Sequence, residues 1–279
     1  MNISNAMTVD VEDFFQVEAF ARTLPRDRWD TFERRVEANT DGILAQMAQA
    51  GAYGTFFTLG WIAERHPALV RRIVAAGHEL ASHGYGHQRV DTISPEAFAD
   101  DITRAKSILE DIGGVAVTGY RAPTFSIGPR TPWAAEALLA AGYHYSSSVY
   151  PVRHDLYGDP DAPRTPFHPH NTALWELPMS TAQMFGRNLP CSGGGWFRLL
   201  PYAAFRLGLR RVNRTDHQPG IFYTHPWEFD PGQPRIPGAG RLSRFRHYVN
   251  LDRTAGKFEA LLRDFTWDRM DRVFPFVLA

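Results

Sequence analysis

A single cysteine, Cys191, stands among the 279 residues, which excludes an internal disulfide and any zinc site built from several thiolates. That scarcity fits a reducing compartment. Paired with a distant histidine, Cys191 could act as a nucleophile, but lone cysteines are far more often small buried or loop residues. Net charge is lacking too: Lys plus Arg and Asp plus Glu each count 30, so no basic stripe suits a phosphate backbone and nucleic acid is not an expected partner. Nor does any apolar run approach the ~18 residues that cross a bilayer. The opening MNISNAMTVDVED has neither the basic nor the apolar region of a secretory signal. The expectation is a cytoplasmic protein with no integral membrane segment.

What is present, 44% apolar and 22% charged residues, is the makeup of a globular chain with one sizeable core. Strand-like segments at Met7–Val11, Gly54–Leu59, Glu79–Ser82, Thr118–Arg121, Tyr143–Ser146, Leu174–Met179 and Ile221–Thr224 alternate with helical patterns. Ser94-Pro95 opens one helix (Ala97–Ile112), Thr131-Pro132 another, and Pro67 a third that stops at Gly77. Strands alternating with helices imply parallel pairing. Seven such units predict an α/β fold, a distorted seven-stranded (β/α) barrel of TIM type, with long loop insertions in its C-terminal half. One domain over residues 1–279 is expected: a catalytic core at about 7–230, an insertion at about 151–219 and an extension at about 231–279. The insertion, rich in Pro and Gly (YGDPDAPRTPFHPH, CSGGGW), reads as long loops around one strand and one helix (Tyr202–Arg211), and a last helix is expected over Asp252–Phe265.

In such barrels the reaction site gathers at the carboxyl ends of the strands. His83 and His87, in SHGYGH, follow the third predicted strand directly. Asp10, Glu12 and Asp13 end the first, Arg121 the fourth, and His225 the last. Alone, each has an ordinary explanation, since acids favour helix starts and surface arginines pair with solvent. Together they form a coherent set. Two neutral imidazoles and a carboxylate make a facial site for a divalent metal, zinc before cobalt, nickel or manganese. Such an ion polarises an acyl carbonyl and lowers the pKa of bound water toward ~7. A second carboxylate can take the water's proton, an arginine can orient that base, and a separate histidine can protonate the leaving group.

The ordered series TVDVED, SHGYGH, YRAPTF and FYTHPWEF resembles the motifs of the polysaccharide deacetylases, chitooligosaccharide-deacetylase-like carbohydrate esterases. ELPMST, CSGGGWFRLLPY and RHYVNLDRTAGKF resemble the branch found beside exopolysaccharide and protein-sorting (PEP-CTERM) loci. The resemblance implies Asp10 as general base, His83 and His87 as metal ligands, Arg121 as the residue orienting the base, His225 as general acid, and the backbone N–H of Thr124 as oxyanion donor. It also implies an acetylated carbohydrate as substrate, with peripheral contact to membrane-bound synthesis machinery. Two departures stand out. The usual adjacent acid pair is DVED, so the metal carboxylate is Glu12 or Asp13, strand alternation favouring Glu12. Ser146 to Ser148 stand where an aspartate commonly tunes the acidic histidine, with Glu176 a candidate substitute. Trp175, Trp196, Phe197 and Trp227 lie near the loops and could stack on sugars, though core roles are commoner; His168 and His170 read as loop histidines. Other readings are a metal-independent cyclic amide or ureide hydrolase, and an inactive carbohydrate-binding scaffold.

Overall fold

In the computed structural model, which describes residues 3–184 and 186–278, eight parallel strands form one curled sheet. They are β1 (Ser4–Val11), β2 (Thr55–Thr58), β3 (Glu79–Ser82), β4 (Gly119–Tyr120), β5 (Tyr145–Ser146), β6 (Trp175–Glu176) and, after an antiparallel hairpin of β7 (Thr181–Met184) with β8 (Arg187–Pro190), β9 (Ile221–Thr224) and β10 (Thr266–Asp268). The spatial order of the barrel strands is β9-β1-β2-β3-β4-β5-β6, and short β10 pairs with the first residues of β1. Seven strands with covering helices thus make a half-barrel, the α/β architecture expected from the sequence. From Asn5 onward every residue of β1 is buried, because one face looks into the barrel and the other meets helices, as parallel strands require.

The helices are α1 (Val36–Gln49), α2 (Gly60–Arg65), α3 (Pro67–Ala75), α4 (Pro95–Gly113), α5 (Ala134–Ala140), α6 (Gly194–Leu199), α7 (Tyr202–Arg214), α8 (Arg241–Tyr248), α9 (Leu251–Asp264) and α10 (Met270–Val273). Local chemistry sets their limits. The Ser94 hydroxyl accepts the Ala97 N–H at 3.2 Å, Pro95 occupies the first turn, and Gly114 ends α4 at φ +65°. Phe98, Ile102, Ala105 and Leu109 form the buried stripe between.

Between β6 and β9 no strand pairing closes the barrel among the described residues. The C-terminal half fills that seam: Tyr223 donates its N–H to the Ser192 carbonyl at 2.6 Å, and Ile221 to the Ser180 hydroxyl at 2.7 Å. Gly193 makes the crossing possible. At φ +128°, a Cβ there would sit 1.9 Å from the Tyr223 carbonyl oxygen. The insertion is more ordered than its composition predicts, holding the β7–β8 hairpin and α6 besides the expected strand and helix. Strand β8 reads RNLP and buries neither face fully, so its alternation is too weak to stand out.

Candidate active site

The loop after β3 brings two imidazoles to the rim. Its glycines allow the turn: Gly84 has φ +74°, and its missing Cβ would lie 2.6 Å from Asp101 Oδ2. That carboxylate accepts the Tyr85 N–H at 2.8 Å and the Gly86 N–H at 3.2 Å, anchoring the loop to α4. His87 itself is left-handed at φ +50°, and its carbonyl accepts from Arg26 Nη2 at 2.9 Å. The rings of His83 and His87 stand 5.3 Å apart. Nδ1 of His83 lies 2.8 Å from the Arg121 carbonyl, so that nitrogen carries the proton and Nε2 keeps its lone pair. Burial pushes His83 down to about 4, and the ring is neutral at physiological pH.

Glu12 completes this cluster. One ligand atom each from Glu12, His83 and His87 lies within 4.8 Å of the others, and all three residues are buried. His87 Nε2 approaches Glu12 Oε2 at 2.7 Å, yet that oxygen makes no aligned hydrogen bond. Burial raises the Glu12 carboxyl, but the opposing His87, His225 and His83 outweigh it and hold it well below the usual range. A buried anionic oxygen without a hydrogen-bond donor, faced by two imidazole nitrogens, fits a divalent cation by donor type and number.

Asp13 points elsewhere. Its carboxylate accepts the N–H groups of Phe14 (2.8 Å), Arg35 (2.6 Å) and Val36 (2.9 Å), and Gln16 returns the cap by accepting the Asp13 N–H at 2.8 Å. This is a capping box holding the chain that leads into α1. Of the two acids left open by the sequence, only Glu12 joins the histidines.

Beside the cluster, Arg121 is fully buried and donates through Nη1 to Asp10 Oδ1 at 2.7 Å and to the Thr8 hydroxyl at 2.6 Å. Its other nitrogens reach the Ser147 carbonyl and hydroxyl, each at 3.0 Å. Asp10 Oδ2 is left facing His225 Nε2 at 3.9 Å, and the same nitrogen is 3.7 Å from Glu12 Oε1. The structure therefore gathers Asp10, Glu12, His83, His87, Arg121 and His225 in one cluster. Thr124 follows in a turn closed by Phe125 N–H to the Ala122 carbonyl at 3.1 Å. Thr124 and Phe125 both adopt left-handed backbone, φ +57° and +48°, a strained pair of the kind found at functional turns.

The partner of His225 is one the sequence left unassigned. Nδ1 lies 3.5 Å from Glu228 Oε2. Glu228 also accepts from the Thr224 hydroxyl (2.7 Å), the His225 N–H (3.2 Å) and Arg198 Nε (2.9 Å). Both ends of that last pair are buried. Against the downward pull of its own burial, Glu228 with the Glu12 and Asp10 charges raises His225 to about 9. Glu176 does not fill this position: its carboxylate accepts the Ser148 and Val149 N–H groups at 2.8 and 2.9 Å, so it orders the serine turn instead. Trp227, buried, donates its indole N–H to Glu12 Oε1 at 3.0 Å and stacks on His225 at 5.1 Å; Glu228 and Arg198 were both missed from the sequence.

Among the remaining candidates, Phe197 is core, and Trp175 packs between His168 (3.8 Å) and Phe276 (4.6 Å). Trp196 is half-buried. His168 bonds the Leu174 carbonyl within its own loop. Cys191 is buried, and burial pushes its thiol up to about 12, which removes it as a nucleophile.

Residues 23–145 match the family model described as polysaccharide deacetylase. That stretch, just under half of the chain, is similar to the polysaccharide deacetylases. Residues 147–275 match a domain of unknown function, DUF3473. A peptidoglycan-N-acetylglucosamine deacetylase from Bacillus cereus is 32% identical over 98 residues, 35% of this chain and 36% of the relative. A chitooligosaccharide deacetylase from Bradyrhizobium is 27% identical over 108 residues, 38% of this chain and 49% of the relative. The chain thus spans about a third to a half of the curated relatives' length. A solved structure described as a putative polysaccharide deacetylase from Mycobacterium smegmatis shares the fold with TM-score 0.63 and 20% identity, covering 99% of this chain and 90% of that one. A pseudoenzyme of the CE4 family from Bacillus anthracis also matches, with TM-score 0.50 and 12% identity, covering 98% of this chain and 65% of that one. Fold alone therefore does not separate active from inactive members; the side chains must.

Proposed function

We propose that this chain is a polysaccharide deacetylase, a divalent-metal-dependent hydrolase that removes N-acetyl groups, in preference to O-acetyl groups, from a polysaccharide or its lipid-linked oligosaccharide precursor. A role in exopolysaccharide biosynthesis belongs to the same reading and rests on the branch motifs of the second half. The observation that carries the proposal is the meeting of Glu12, His83 and His87 with Arg121-held Asp10 and His225 in one cluster. Glu12, His83 and His87 would hold the ion, which supplies Lewis acidity toward the acyl oxygen and makes water more acidic. Zinc is the first choice for two imidazoles and a carboxylate.

The chain's own groups do the proton work. Asp10 Oδ2, free of Arg121, takes a proton from the attacking water as its oxygen bonds the acyl carbon. The Thr124 N–H is assigned to the oxyanion that forms. His225 gives its Nε2 proton to the departing amine as the carbon–nitrogen bond breaks, and acetate and a free amine result. Trp227 and Glu228 position His225 between them. The inactive-scaffold reading leaned on the serines of the fifth strand, and Glu228 supplies from another element the carboxylate they lack.

Protein loaded with zinc or cobalt should release acetate from N-acetylated oligosaccharides, and His83→Ala should abolish both turnover and the bound ion. Full turnover after chelation would favour the metal-independent amide hydrolase and end this proposal.

A further inference from the structure

From Pro231 to Leu251 the chain has four arginines and no carboxylate. Arg246 pairs with Asp155 at 2.9 Å. Arg235, Arg241 and Arg244 make no salt bridge among the described residues, and with Phe245, Tyr248 and Val249 they line a hollow of about 390 Å³. The helical period of α8 puts Arg241, Leu242, Arg244 and Phe245 on one side, opposite buried His247. Leu242 is 57% exposed and Phe245 55%.

We propose that this face of α8 is a docking surface for an anionic lipid bilayer. A soluble anion would satisfy the guanidinium groups but give the leucine and phenylalanine nothing. A second copy related by a two-fold axis would set arginine against arginine. A negatively charged membrane surface answers both needs, with headgroup phosphates at the arginines and hydrocarbon at the two apolar side chains. No helix among the described residues is long and apolar enough to span a membrane, so the contact is peripheral. The inner side of α8 faces the active site: His247 stacks on Trp227 at 4.2 Å, and Trp227 on His225. The proposal does not depend on deacetylation, because it is read out by binding.

Full-length protein should co-sediment with vesicles of equimolar phosphatidylcholine and phosphatidylglycerol, and not with phosphatidylcholine alone, with an affinity that falls as salt rises. Three free arginines predict a preference of about 100-fold, and R241Q/R244Q should lose about 30-fold. L242S/F245S should weaken binding at high salt as well. F245W gives a reading that needs no loss of function: its added emission should be quenched by brominated acyl chains. Equal binding to both vesicle types, unchanged binding by R241Q/R244Q, or unquenched F245W emission would overturn the proposal. So would capture by soluble dextran sulfate without vesicle binding.

Discussion

Replacing Glu228 with Gln tests how His225 is held. The Glu228 carboxylate is buried and takes hydrogen bonds from Arg198, Thr224 and the His225 backbone. Burial raises its carboxyl, but Arg198 first and His225 next overcome that and bring it from 4.5 to about 2. A depressed carboxylate contributes stability that is present above the unfolded value and lost as pH falls through the folded one. The drop corresponds to about 3 kcal/mol. Urea unfolding of E228Q should therefore show a deficit of about 3 kcal/mol at neutral pH, shrinking toward zero near pH 2. Arg198→Met should cost about 3–5 kcal/mol, because it leaves a buried anion unpaired. It also frees the Arg246, His247 and Val249 carbonyls that the guanidinium binds. The double variant should lose less than the sum. Turnover of E228Q, followed by acetate release on metal-loaded protein, should fall by roughly 10²-fold, with the alkaline limb moved to lower pH as His225 loses the neighbour that raises it. An E228Q protein as stable as wild type at neutral pH, or one with an unmoved alkaline limb, would refute the reasoning.

Other outcomes follow from the same contacts. Asp13→Ala should bind zinc like wild type by calorimetry, while losing about 1–2 kcal/mol of stability with its cap; Glu12→Gln should reverse that pattern. Gly193→Ala should fold poorly or melt far lower in a thermal scan, since the new methyl collides with the Tyr223 carbonyl at a positive φ. Burial first, with Asp271 nearby, raises Glu79 from 4.5 to about 7. Unfolded chains ionise before the native state does, so stability should fall by about 3 kcal/mol between about pH 4.5 and 7. Chemical denaturation of Glu79→Gln should show that slope removed.

The barrel was legible because its strands are short apolar runs between helices with plain start and stop signals, such as Ser94-Pro95 and Gly77. Active-site candidates were legible for the same reason: the residue after a strand is placed by the strand. Alternation favoured Glu12 over Asp13 only slightly, but Asp13 followed three residues later by Gln16 is a capping-box spacing, and that signal assigns Asp13 to the backbone. Glu228 stands three residues after His225 in the same way. Arg198 gave no local sign. Its partner lies 30 residues away across the barrel, and nothing in CSGGGWFRLL announces a buried guanidinium. The β7–β8 hairpin and β10 escaped because segments of four and three residues carry too little pattern.

The two matched family segments meet at residue 146, inside β5, and neither includes β1, which bears Asp10 and leads into Glu12. An expression fragment cut along that border would strand Arg121 from Ser147 and leave His225 in the other tube. The region of unknown function is thus better pictured as the second half of one catalytic vessel than as an appendage to it. Mixing the two pieces should restore activity only if they reassemble around an intact β1.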